Sequence, residues 1–250
     1  MNRKHFIFSF YSIIFIFLLF VLAFIFFGLK NENKNKIYKF DSNNELQTFE
    51  TTEKMIPVVP LSQYPKLPTG CESTAAAMLL NYYKYRITPE SFAENILIKE
   101  DFYYENGNLC GPHPDNAFIG DPFSENGYGC YADAIVSSIN SNISEVTAVN
   151  ISGKSLSEIL SNYIDCGIPV MLWATMGMNE AKEGTVWQTD NGEAFTWISG
   201  EHCLVLIGYN DRFCFLNDPQ LGYTVAYEKE LVEKRFNDLN RQAVYIYKKS

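Results

Sequence analysis

A chain of 250 residues allows one ordinary domain with appendages, and a composition of 47% hydrophobic and 20% charged residues is that of a folded protein. The formal net charge of -9 argues against a phosphate-binding surface, so nucleic acid is not an expected partner. Six cysteines without a C-x-x-C, and three histidines without clustered ligands, give no zinc signature. No glycine-rich phosphate loop or dinucleotide fingerprint occurs, so neither a metal nor another cofactor is expected.

Phe6 to Leu29 is uncharged and dominated by Phe, Ile and Leu. A helix rising ~1.5 Å per residue crosses the hydrocarbon core in about 20 residues, so residues 1–30 are expected to be a membrane anchor. The run is too long for a signal-peptide core, and no A-x-A-like cleavage site follows it. Arg3 and Lys4 precede the span while Lys30, Lys34, Lys36 and Lys39 follow it, so charge does not choose the orientation clearly. The expectation adopted is a short cytoplasmic tail and an extracytoplasmic C-terminal domain. Residues 31–54, rich in Asn, Lys, Glu and Thr, read as a flexible linker, and 55–250 as the folded domain.

Met55 to Pro60 reads as an entry strand kept at an edge by its prolines. A turn, Leu67-Pro68-Thr69-Gly70-Cys71, leads into Glu72 to Tyr85, which is rich in Ala, Met and Leu and should be helical. Pro89 opens a second helix running to about Glu100. Phe102 to Gly129 carries repeated Gly, Pro and Asn and reads as a long excursion that could line a substrate cleft. Tyr131 to Ile139 and Leu156 to Asp165 should be helical, with Gly167 ending the second. Strands are expected over Ile168 to Thr175, Thr185 to Gln188, Phe195 to Ile198, Cys203 to Tyr209, Arg212 to Leu216 and Gln242 to Tyr247. Helices first and antiparallel strands later indicate an α+β domain.

Cys71 stands where a turn meets a helix. Free amides at a helix N-terminus favour a thiolate, so this thiol is expected to ionise readily, and Gly70 would let a substrate approach. Cys110 and Cys130 could pair in an oxidising compartment. Cys166 and Cys203 read as buried structural thiols. His202 opens the apolar strand to Tyr209. With Asn210-Asp211 as a tight turn, Tyr209 would face Arg212, and Asp218 would lie opposite Cys203, one step from His202. The hairpin would thus join an imidazole and a carboxylate, the base and orienter of a triad. Asn217 is the alternative orienter, His113 the alternative base and Cys130 the alternative nucleophile.

Four separated segments resemble the double-glycine-leader, bacteriocin-processing cysteine peptidases, and more closely their stand-alone relatives in Gram-positive bacteria. They are Val59-Pro60-Leu61-Ser62-Gln63 through Leu67 to Ser73; Gly111-Pro112-His113-Pro114 to Gly120-Asp121-Pro122; Gly127 to Ala132; and His202 to Gly208 with Asn217-Asp218-Pro219. The resemblance implies a papain-like fold, with an N-terminal helical lobe and a C-terminal antiparallel sheet. It implies a Cys71–His202–Asp218 triad, and Gln63 as the oxyanion-hole glutamine. Peptide or protein substrates are then expected. A cell-wall amidase or acyltransferase on the same fold, or a non-catalytic membrane-tethered binding or immunity protein, is the competing expectation.

Overall fold

Burial is most complete along the strands β8 (Val170–Thr175), β11 (Glu201–Tyr209) and β12 (Phe213–Asp218), and it sets the architecture. Successive side chains of a strand leave on opposite faces, so uninterrupted burial means that both faces are covered here. These strands are central in an eight-stranded sheet of a computed structural model that describes residues 35–40, 45–51, 53 and 55–249. The remaining members are β1 (Asn35–Phe40), β2 (Leu46–Thr51), β7 (Val146–Asn150), β13 (Tyr223–Glu228) and β14 (Ala243–Lys248). The order is β2-β1-β13-β12-β11-β8-β14-β7. From β13 to β7 all neighbours are antiparallel, whereas Tyr38 of β1 pairs with Val225 of β13 in parallel.

A smaller sheet, ordered β10-β9-β5-β4, joins β10 (Ala194–Ser199) and β9 (Lys182–Gln188) to β5 (Asn108–Cys110) and β4 (Tyr103–Glu105). The pair β3 (Lys99–Glu100) and β6 (Phe118–Ile119) completes the strands. The helices are α1 (Cys71–Tyr82), α2 (Pro89–Asn95), α3 (Ala132–Asn142), α4 (Leu156–Ile159, prolonged by a π-turn over Leu160–Ile164) and α5 (Lys229–Asp238).

α1 contains ten consecutive buried residues, Cys71 to Leu80, so it is enclosed around its whole circumference and lies inside the domain. It packs on α2 and on β11 and β8. Thr88 accepts the Ser91 N–H and caps α2, with Pro89 in the first turn, where its missing N–H is harmless. A capping box between Ser155 and Glu158 starts α4.

Several expectations are corrected. The residues 55–60 form no strand, although Ile56 donates its N–H to the Ile207 carbonyl. α2 ends at Asn95 instead of Glu100, because the Ile98 N–H turns to Ser138 Oγ and Lys99–Glu100 pair with Phe118–Ile119. Within the stretch read as a tether, 35–40 and 46–51 are strands, and β7, β13 and α5 are further elements beyond those expected. The expected anchor at Phe6 to Leu29 lies outside the described residues; no helix among those described is long and apolar enough to cross a membrane. Cys110 and Cys130 are unpaired, and Cys166 is exposed, while Cys203 is buried.

Leu79 is fully enclosed in α1. Leu79→Ala should therefore lower unfolding stability by about 2–5 kcal/mol, through lost burial and the cavity left behind. The shift of the urea midpoint with unchanged slope measures it.

Candidate active site

The hairpin β11–β12 brings the first pair of groups together. Asn210 Oδ1 accepts from the amides of Arg212 (2.9 Å) and Phe213 (2.7 Å), so its side chain lengthens the turn. Tyr209 consequently faces Cys214 instead of Arg212. A bulge between Leu206 and Gly208 then changes the register again, so that Val205 faces Asn217. The expected pairing is thus displaced, yet both chains end with the same neighbours: His202 Nε2 lies 2.8 Å from Asp218 Oδ1.

Asp218 is enclosed by donors. The Gln220 amide donates to Oδ1 at 2.9 Å and the Tyr227 hydroxyl to Oδ2 at 3.0 Å. Burial pushes its carboxyl upward, but the charge of His202 and the bonds from His202, Tyr227 and Gln220 outweigh it and hold the group below the usual range. Asn217, one residue away and therefore on the other face, donates to the Val58 carbonyl and accepts from Thr224 Oγ1. It ties the 55–60 segment to the sheet and is not the partner of His202.

Cys71 is the first residue of α1, after Gly70. A Cβ on Gly70 would sit 2.7 Å from Leu67 Cβ, so the tight turn before Cys71 requires the glycine. Cys71, His202 and Gln63 line one cleft of about 360 Å³. The Gln63 Nε2 group donates one proton to the Pro68 carbonyl at 2.9 Å, which leaves its second N–H unassigned, while its Oε1 is buried without a partner. The long excursion supplies another wall: Thr69 Oγ1 donates to the Ser124 carbonyl, and Gly127 and Tyr128 face the cleft. Tyr128 and Tyr131 hold Trp197 between them at 5.9 and 5.7 Å.

The alternative base and nucleophile are placed elsewhere. His113 is half-exposed, beside Asp115 and against the Phe195 ring, and is not among the residues lining this cleft. Cys130 is fully buried, with its carbonyl accepting from Trp173 Nε1.

The electrostatics at Cys71 overturn the expectation of a readily ionised thiol. Burial, then the charges of Glu72 and Glu201, push it well above its ordinary value. Cys71 Sγ donates to Glu72 Oε2 at 3.2 Å, and Glu72 Oε1 accepts the Cys130 N–H at 2.6 Å. Cys71, Glu72 and Glu201 each place one ligating atom within 4.8 Å of the others, a spacing that a divalent cation could bridge. Sequence reasoning singles out neither carboxyl, although each is the chain neighbour of an expected site residue, in Cys71-Glu72 and Glu201-His202. Burial raises Glu72 from 4.5 to about 7, and burial followed by the Glu72 charge raises Glu201 well above 4.5.

A carboxyl raised on folding keeps its proton in the native state after the unfolded chain has lost it. The stability this gives is complete below about 4.5 and is lost as pH rises toward 7. Each such carboxyl should remove about 1.4 kcal/mol for every pH unit crossed between its unfolded and folded titrations. Urea unfolding should show the native state weaker at pH 8 than at pH 5.5, and Glu201→Gln should flatten that slope.

Residues 55–244 match the model of the Peptidase_C39 like family. The uncharacterized protein YvpB of Bacillus subtilis is 29% identical over 240 residues, covering 90% of this chain and 94% of that one. A crystal structure from Bacillus anthracis, described as a C39-like peptidase, superposes with a TM-score of 0.67 at 27% identity. It covers 79% of this chain and all of its own. With the match spanning most of the sequence and the α+β fold shared, the chain belongs to the Peptidase_C39 like family.

Proposed function

We infer that this protein is a cysteine peptidase of papain-like fold that hydrolyses peptide bonds through a thioester on Cys71. The observation that carries the reading is the 2.8 Å contact of His202 with Asp218 beside a cleft that Cys71 and Gln63 also line. Asp218 takes one imidazole nitrogen, which fixes the ring and leaves the other nitrogen for proton transfer. Cys71 Sγ attacks the peptide carbonyl carbon as its thiol proton passes to the free imidazole nitrogen of His202, which becomes imidazolium. The free Gln63 N–H and the Cys71 backbone amide at the start of α1 are suited to hold the oxyanion. Imidazolium protonates the departing amine, and neutral imidazole then takes a proton from the water that cleaves the thioester.

The same reading puts the domain outside the cytoplasm on a membrane anchor, supported by the 24 uncharged residues from Phe6 to Leu29. Peptides or proteins at the cell surface are the corresponding substrates.

In the purified full chain, Cys71→Ala should abolish cleavage of a fluorogenic peptide library. His202→Ala should lower kcat by about 10²–10⁴-fold, and Gln63→Ala by about 10²–10³-fold. A peptidyl acyloxymethyl ketone should add its mass to the fragment carrying Cys71. Full turnover by folded Cys71→Ala protein would falsify the assignment.

A further inference from the structure

Three donors of different chemistry converge at one wall of the cleft. Cys71 Sγ, one Glu72 oxygen and one Glu201 oxygen lie within 4.8 Å of one another. Cys71 and Glu201 line the cleft, while Glu72 is fully enclosed beside them. Gly129 allows the two carboxyls to come together, since a Cβ there would lie 2.5 Å from Glu72 Oε1 and 2.8 Å from Glu201 Oε2. The Cys130 N–H donates to Glu72 Oε1 at 2.6 Å, and the Cys71 thiol donates to Glu72 Oε2 at 3.2 Å. The second Glu72 oxygen is therefore held against the sulfur.

Glu201 adds an observation of a different kind. Its side chain is only 6% exposed, and its Oε1 has no hydrogen-bond partner. A buried carboxyl oxygen ordinarily meets a donor, because its desolvation is otherwise uncompensated. Among the described residues, neither lysine nor arginine lines the cleft, and His202 is engaged with Asp218. An unfilled acceptor, a second carboxyl and a thiol within such a span are what a small divalent cation satisfies at once.

We propose that Cys71, Glu72 and Glu201 form a site for Zn²⁺, and that the bound ion masks the Cys71 sulfur and silences the peptidase. The proposal rests on the peptidase reading and adds a regulation of the same site. The donor set selects the metal. A thiolate favours zinc over magnesium and calcium, which take oxygen ligands in larger number. Zinc accepts sulfur and carboxylate oxygen together and is satisfied by four ligands, so three protein donors leave one position for water from the cleft. On binding, the thiol proton and any proton held by the carboxyl pair pass to solvent, and a sulfur electron pair goes to the metal. Nothing is oxidised or reduced. A sulfur whose pair is engaged with zinc does not attack a carbonyl, and a chelator that removes the ion restores it.

Calorimetric titration of the full chain with Zn²⁺ alone tests the site without a substrate. Cys71→Ala should lose the binding, and Glu201→Gln should weaken it by at least about tenfold. Co²⁺ in place of Zn²⁺ should give a thiolate-to-metal charge-transfer band that Cys71→Ala lacks. Cys166→Ser should keep both signals, which sets aside the exposed thiol. Excess Mg²⁺ or Ca²⁺ should displace neither metal. Zn²⁺ should abolish peptide turnover over the range in which it binds, and a chelator should restore it. Absent binding, binding that survives Cys71→Ala, unchanged affinity in folded Glu201→Gln, or displacement by Ca²⁺ overturns the site. Full turnover by zinc-loaded protein overturns the silencing. If Glu201→Gln fails to fold by circular dichroism, the Cys71→Ala titration and the cobalt band decide. Peptide turnover unaffected by Cys71→Ala would instead strike the peptidase reading, and the titration would still decide the metal site.

Discussion

The contact between His202 and Asp218 depends on two irregularities in one hairpin. The Asn210 side chain lengthens its turn, and the bulge before Gly208 alters its register a second time. A strand pairing slipped by one residue turns every side chain to the other face. Here the accumulated offset still leaves Asp218 facing the imidazole and sends Asn217 to the Val58 carbonyl. The bulge has a second consequence: the Ile207 carbonyl becomes the acceptor for Ile56, which draws the segment leading to Gln63 along the sheet. These departures from regular pairing therefore position both the Asp218 carboxylate and the chain leading to the Gln63 side chain.

Burial shapes the chemistry as strongly as proximity does. At Asp218 the desolvation of a carboxylate is outweighed by His202, Tyr227 and the Gln220 amide, so the group stays charged. At Glu72 the amides of Glu72 and Cys130, the Cys71 thiol and the charge of His202 do not outweigh the same desolvation, and at Glu201 burial and the Glu72 charge both raise the group, so the two carboxyls move upward. Carboxylates on the same hairpin or next to Cys71 thus acquire opposite tendencies from their surroundings. The thiol follows the second pattern. The favourable field of a helix N-terminus, of the order of 1 kcal/mol at best near a surface, is too small to overcome full burial beside two acids.

Much of the domain was legible in the sequence because its signals are local. The Ala-rich run after Gly70 gave α1 to within a few residues, and short apolar runs bounded by turn residues gave β8 through β12. β7 and β13 were missed because Val146–Asn150 and Tyr223–Glu228 are short, mixed segments that become strands only by pairing with neighbours already in place. α5 was missed because it is largely charged, with an apolar side reduced to residues such as Val232 and Phe236. Of the site, hairpin logic brought His202 close only to a pair of candidates, Asn217 and Asp218, and the resemblance of the four segments implied Cys71, His202, Asp218 and Gln63 together. Glu72 and Glu201 could not be named, since an acidic neighbour in sequence is ordinarily solvated.

By itself, the sequence determined which elements form around the cleft and which chemical groups stand at their ends, because capping, turn formation and apolar periodicity act over a few residues. Tertiary structure alone decided the rest. It paired His202 with Asp218 and not Asn217, kept Cys130 and His113 out of the cleft lining, and buried two carboxyls against Cys71. Those outcomes depend on register between strands and on water excluded by segments distant along the chain. Both arise from the packing of the whole domain, and no short stretch of residues encodes them.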